Sequence, residues 1–212
     1  MESGVETGNR QDRPRIFGIG LNKTATSTLD KALTILGYES LHFGGQEAHD
    51  AVQRAIDDGV PLVSYLDPRY DAFSDIGLLS RRFRMLDAQY PGSKFVLTVR
   101  PVEAWIDSRR RHVERNVARK EAGDYDGTFL VVDEEKWAAE WDLHMTRAHT
   151  YFASRNNLLE IDLTRDATWE PLCDFLEVPV PAVAFPWVNR DESVHAVGTA
   201  TRLRRAATRL KR

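Results

Sequence analysis

The sequence predicts an α/β fold: three layers, α/β/α, around a central, mostly parallel sheet of about five strands. Two observations carry this. Short apolar runs alternate with segments of helical periodicity along the whole chain. The central run Phe95, Val96, Leu97, Thr98, Val99 is five apolar or β-branched residues in a row, as in a strand covered on both faces. The length of 212 residues suits one ordinary domain with a single core.

In order, residues 16–19 read as the first strand, followed by a polar, small-residue loop over 20–26. Leu29, Ala32, Leu33 and Leu36 give the next segment, from about 27 to 36, one apolar helical face. Gly37 is placed to end it. Residues 38–43 read as a short strand, 47–57 as a helix and 61–66 as a third strand. Leu79, Phe83, Leu86 and Tyr90 mark one helix, closed by the turn Pro91-Gly92. After the strand at 95–99, Pro101 opens a long helix reaching about Lys120, since proline suits a first helical turn. A loop over 122–128 leads to a helix over 134–154, with Trp137, Trp141, Met145, Ala148 and Phe152 on its inner side. Residues 158–161 form the last strand and 169–176 a short helix. The division expected is a polar lead over 1–14, a domain over 15–190 and a basic helical tail over 191–212.

Composition bounds the function. The chain is 42% hydrophobic and 29% charged, with a net charge of −3, so nothing pulls it globally toward nucleic acid. Any anion site must be local. The only cysteine, Cys173, excludes an internal disulfide and a Cys-rich metal site, and fits a reducing, cytoplasmic setting. No apolar run approaches the ~20 residues of a membrane span, and residues 1–13 lack a signal-peptide core. The tail carries Arg202, Arg204, Arg205, Arg209, Lys211 and Arg212. It reads as a solvated helix, or as a weak peripheral contact for an acidic partner or membrane surface.

Two segments carry chemistry. Gly20-Leu21-Asn22-Lys23-Thr24-Ala25-Thr26-Ser27-Thr28 lies between a strand and a helix, where backbone N–H groups and a helix N-terminus converge on an anion. Lys23 adds a full charge, and the hydroxyls add donors. The ATP loop pattern sets its lysine at the helix start, but Ala25-Thr26 stands there instead. The bland alternative is a helix N-cap by Thr26 or Ser27 with Lys23 solvated. The second segment has Arg100 at a strand's carboxyl end, the ligand-binding edge of open α/β sheets. Ser108 follows eight residues on, ~12 Å of helical rise. Arg109, Arg110 and Arg111 read mainly as a solvated face, with Glu103, Asp107 and Glu114 as partners.

Together these segments resemble the sulfotransferase family that uses 3′-phosphoadenosine 5′-phosphosulfate (PAPS). Lys23-Thr24-Ala25-Thr26-Ser27-Thr28 matches its first signature, and Arg100 with Ser108 its second. The likeness is to a short bacterial and fungal branch, through Tyr70-Asp71-Ala72-Phe73-Ser74-Asp75-Ile76, Leu86-Asp87-Ala88-Gln89-Tyr90-Pro91-Gly92-Ser93-Lys94, Trp169-Glu170-Pro171-Leu172-Cys173 and Phe185-Pro186-Trp187-Val188-Asn189. Gly77 stands where that branch has proline, and Pro101 where it has aspartate or asparagine. The resemblance covers about residues 16–189 and implies a P-loop-type topology.

It further implies that Asn22, Lys23, Thr24, Ala25, Thr26, Ser27 and Thr28 hold the 5′ end of PAPS. Arg100 and Ser108 would hold the 3′-phosphate, and Lys23 would stabilise charge on the leaving phosphate. No metal is expected. The family's basic histidine is replaced in alignment by Asp75, whose alternative role is to cap the helix containing Leu79. His42 is the competing base and Asp67 a third. His112 and His144 read as surface or packing residues. Trp105, Trp137 and Trp141 read as core, with adenine stacking as the alternative for one. The acceptor, a small molecule, carbohydrate or lipid bearing a hydroxyl or amine, is not legible. Two other functions stay open: a P-loop kinase using ATP or GTP, for which Asp162 would have to hold Mg²⁺, and a non-catalytic binding protein.

Overall fold

The computed structural model describes residues 13–165 and 167–188. The basic tail and residues 1–12 lie outside them. Five strands form one all-parallel sheet: β1 (Ile16–Gly18), β2 (Ser40–His42), β3 (Ala72–Ser74), β4 (Lys94–Thr98) and β5 (Leu158–Ile161). Their spatial order is β2-β3-β1-β4-β5. The helices are α1 (Thr26–Ile35), α2 (Gly45–Asp57), α3 (Gly77–Ser80), α4 (Phe83–Gln89), α5 (Val102–Glu121), α6 (Glu134–Phe152) and α7 (Glu170–Leu176).

The strands are short, yet each presents both faces to apolar partners, as parallel sheets require. Phe17, Phe73, Phe95 and Leu97 face α2, α3, α4 and α6, and Phe17 stacks on Phe73 and Phe95 with ring centroids 5.4 and 5.6 Å apart. Ile16, Ala72 and Val96 point the other way, onto Leu29, Ala32 and Leu33 of α1 and Leu172 and Leu176 of α7. The alternation Ile16 down, Phe17 up follows from the period of two along a strand. A third cluster, Leu21, Trp105, Val113, Trp137 and Trp141, closes α5 and α6 over the carboxyl edge of the sheet.

Two expectations change. Residues 61–66 are turns, closed by Ser64 N–H on Pro61 O and Leu66 N–H on Val63 O. Leu62, Val63 and Leu66 still enter the core, so the apolar run signals burial without extension. The true third strand, β3, is only three residues long, too short for a periodicity to register. The helix expected through Leu79 to Tyr90 is two helices, α3 and α4, broken at Arg81-Arg82.

Candidate active site

The carboxyl ends of β1 to β4 and the start of α1 surround a cleft of about 510 Å³. This is the edge where parallel sheets bind ligands. The loop after β1 approaches it closely. A β-carbon on Gly20 would lie 2.0 Å from Thr98 Oγ1 and 2.6 Å from the Thr98 carbonyl, so only glycine passes. Lys23 (φ 69°) and Ala25 (φ 66°) both adopt the left-handed conformation. Such local strain at L-residues concentrates at functional sites.

Ala25 is the N-cap of α1 and supplies no side-chain cap, so the alternative of capping by Thr26 or Ser27 does not occur. The first N–H groups of a helix have no internal acceptor. Here Ala25, Thr26 and Ser27 line the cleft, which places that electropositive end at its wall.

Buried side chains hold this loop from behind. Thr24 Oγ1 donates to Leu21 O and lies 2.6 Å from Thr98 Oγ1. Its hydroxyl therefore faces inward, leaving only its backbone for a ligand. Asn22 is gripped twice, its carbonyl by Trp105 Nε1 at 2.7 Å and its Oδ1 by Arg109 Nη1 at 3.1 Å. Arg100 Nη1 donates to Lys23 O at 3.0 Å. Thr28 Oγ1 accepts from Val188 N–H at 3.3 Å, bringing the chain's last described residues over the helix.

Arg100 stands just past β4, and Ser108 lies on α5; both line the cleft. Arg100 Nε is buried without a hydrogen-bond partner. Burial pushes the Arg100 guanidinium below its ordinary pKa, opposed by Asp162. An anion would relieve both costs. Beyond Ser108, the cleft continues along one face of α5 past Arg111, His112 and Arg115.

The arginine run divides. Arg110 and Arg111 pair with Asp107 as a surface face does, and Arg110 also binds Glu134 at 2.6 Å. Arg109 turns inward at 8% exposure. Its guanidinium lies 4.7 Å from the Trp105 ring, 5.1 Å from Phe129 and 4.8 Å from Trp137, and it pairs with Glu140 at 3.3 Å. The three tryptophans are core residues. The indole that lines the cleft is Trp187.

The base candidates meet. Register places His42 beside Ser74, so His42 and Asp75 leave adjacent strand ends. Their Nε2 and Oδ2 atoms are 3.7 Å apart. His42 Nε2 also lies 3.3 Å from Thr26 Oγ1 and 3.4 Å from Ser27 Oγ. Asp75 (φ 58°) lines the cleft and does not cap α3, whose N-cap is Ile76. Burial raises the Asp75 carboxyl above the usual carboxylate range, against the lowering pull of His42 and then Lys23.

The remaining candidates separate cleanly. Asp67 is chelated by Arg69 at 2.8 Å, which lowers its pKa and weakens it as a base. His144 is buried, and its Nε2 sits 2.7 Å from Ile19 O; burial lowers its pKa, so it braces β1 as a neutral donor. His112, expected at the surface or in packing, reaches the cleft with its ring 5.4 Å from Phe129. Asp162 Oδ1 accepts from Thr164 N–H and Oγ1 at 2.8 and 2.5 Å, an Asx turn that engages one of its two carboxylate oxygens. Among the described residues no cluster of three or more His, Cys, Asp or Glu could hold a metal ion.

The lining thus contains six cationic side chains (Lys23, Arg81, Arg100, Arg109, Arg111 and Arg115) and one carboxylate, Asp75. On a chain of net charge −3 this is a local concentration of positive charge. Sequence reasoning missed Arg81, Phe43 and Arg115 as lining residues. Arg81 and Arg115 sit among other surface-type charges, and only the Gly44-Gly45 pair beside Phe43 hints at an unusual turn.

Comparison with known proteins agrees with this fold. A crystal structure of a sulfotransferase from Alicyclobacillus acidocaldarius is similar in fold, with a TM-score of 0.53 at 18% identity, over 89% of this chain and 91% of that one. Ava biosynthesis cluster protein M of Aspergillus versicolor is 24% identical over 212 residues, spanning 82% of this chain and 80% of that protein. The profile of the sulfotransferase domain matches residues 15–124 and 119–194, which include the loop, Asp75, Arg100 and Ser108. With most of its length so matched, from the first strand past the last described helix, the chain belongs to the sulfotransferase domain family.

Proposed function

We propose that this protein is a cytoplasmic enzyme transferring a sulfuryl group from PAPS to a hydroxyl or amine of a small-molecule, carbohydrate or lipid acceptor. The observation that carries the reading is the cleft lining: an electropositive loop, Arg100 beside it at the end of β4, Ser108 about two turns along α5, and a single carboxylate among six cationic side chains. A ligand with two separated anionic groups fits this arrangement. The uncapped first turn of α1 and the Arg100 guanidinium with Ser108 are the two places where those groups would dock. Residues 22–28 would take the 5′ end, with Thr24 contributing its backbone alone.

When bound, PAPS would supply an activated sulfuryl group whose departure leaves negative charge on a phosphate oxygen. Lys23, fixed by its left-handed backbone and by Arg100 on its carbonyl, offsets that charge. Asp75 accepts the acceptor's proton. Its raised pKa makes it a stronger base than an ordinary carboxylate. His42 Nε2 lies beside Asp75, Thr26 Oγ1 and Ser27 Oγ together, so His42 positions the carboxylate and does not itself take the proton. The two residues that compete for one role in the sequence here take successive roles. A single cysteine, buried and free, supports the cytoplasmic setting.

The test is a thermal-shift series with 3′-phosphoadenosine 5′-phosphate (PAP), ATP and GTP, with and without Mg²⁺. PAP at a hundred times its Kd should add about 2.7 kcal/mol of stability without metal. Stabilisation by ATP or GTP with Mg²⁺, and none by PAP, would overturn the reading in favour of a kinase.

A further inference from the structure

The proposed nucleotide site uses Lys23, Arg100 and Ser108, and the cleft holds further positive charge on the acceptor side. Asp75, Gly77, Ser80 and Arg81 come from one short segment, β3 to α3, and all four line the cleft. Arg81 ends α3 and folds back over it: Nη1 donates to Gly77 O at 3.2 Å and Nη2 binds Glu140. Glu140 also pairs with Arg109, so one carboxylate serves two guanidinium groups and a unit of positive charge is left over. Glu140 itself is not among the lining residues, whereas the Arg81 side chain is half exposed there.

Gly77 makes this placement feasible. A β-carbon at position 77 would lie 2.8 Å from Arg81 Nη1 and force the guanidinium to move. Phe43, in a left-handed turn after β2, is 60% exposed and lines the same cleft. An acceptor whose hydroxyl meets Asp75 therefore shares the cleft with a tethered cation and an exposed aromatic ring.

Building on the PAPS reading, we infer that Arg81 is a specificity-determining residue, and that the acceptor carries an anionic group, carboxylate or phosphate ester, besides the hydroxyl it presents to Asp75. A guanidinium pre-fixed by Gly77 O and Glu140 loses little freedom on binding such a group. The anionic group also compensates the charge that Glu140 leaves uncancelled, which a neutral acceptor cannot do. Asp75 disfavours an anion at the hydroxyl end, so the geometry orients the acceptor as well as selecting it.

The experiment titrates PAP-saturated protein by calorimetry with three probes: 4-hydroxybenzoate, 4-hydroxyphenyl phosphate and the neutral 4-hydroxybenzyl alcohol. At least one anionic probe should bind about tenfold tighter than the alcohol, the scale of one charge-assisted pair. Which anion binds tells carboxylate from phosphate. The preference should vanish in Arg81→Gln and also in Gly77→Ala, where helix propensity favours folding but the new methyl displaces the guanidinium. The inference is overturned if the alcohol binds as well as both anions, if neither anion binds, or if the preference survives both substitutions. PAP affinity is read in the preceding titration. Loss of PAP binding in the unmodified protein refutes the nucleotide reading, whereas intact PAP binding with no anion preference refutes only the acceptor assignment.

Discussion

The two halves of the cleft are built differently. The loop after β1 is held by hydrogen bonds that are buried or partly buried: Thr24 to Thr98, Asn22 to Trp105 and Arg109, Arg100 to the Lys23 carbonyl. The acceptor half, from the ends of β2 and β3, is held by partly exposed charges such as His42 with Asp75 and Arg81 with Glu140. One half is a loop tied down through its backbone carbonyls and inward-facing side chains. The other is a set of side chains on short, strained turns. A tied-down loop suits a ligand that never changes, and exchangeable side chains suit one that differs between relatives.

Substitutions can break this contrast at each level. The largest effect should come from Lys23→Ala. If the lysine meets charge that develops only during transfer, kcat falls by about 10²–10³-fold while PAP still binds and the fold is intact. A steady-state assay with PAPS and any accepted hydroxyl checks this, and near-normal kcat would remove Lys23 from its role.

Asp75→Asn should cost about 100-fold in kcat, the loss of a general base, with PAP affinity retained. The same change should raise Tm. The folded-state pKa of Asp75 is raised, so its ionisation opposes folding at neutral pH, and asparagine removes that cost. The gain in Tm should fade as pH falls below the ordinary carboxylate pKa of about 4, where Asp75 is protonated folded or unfolded. In the unmodified enzyme kcat should rise with pH through a pKa above that ordinary value. A D75N protein less stable than its parent at neutral pH would show that the carboxylate is a structural partner.

Thr98→Val sharpens the other side of the comparison. It removes a buried hydroxyl partner from Thr24, so stability should drop by about 1–3 kcal/mol in a denaturant titration. PAP affinity should weaken with it, because the loop loses its tether to β4. His42→Ala should be the mildest, within about tenfold in kcat, since the histidine acts through Asp75 and not on the acceptor. A collapse as deep as that of D75N would exchange their roles.

The same contrast explains what could be read from the chain. Lys23, Arg100 and Ser108 were legible because a loop between strand and helix, and an arginine at a strand end, have physical meaning in one dimension. The sheet was legible wherever apolar runs exceed three residues. Residues 61–66 misled because Leu62 and Val63 are buried by turns, and β3 hid because three residues carry no period. The pairing of His42 with Asp75 needs the β2–β3 register, which joins positions 32 residues apart. Arg109 looked like its neighbours Arg110 and Arg111, and only the packing of α5 on α6 sends it inward against three rings.

The central claim is that the cleft holds two separate anionic groups of one nucleotide, and calorimetry with PAP and AMP tests it most directly. The account predicts that PAP binds about 100-fold more tightly than AMP without Mg²⁺, the scale of one or two charge-assisted hydrogen bonds, and that Arg100→Ala removes most of the difference. Equal affinity for PAP and AMP in the unmodified protein would contradict it.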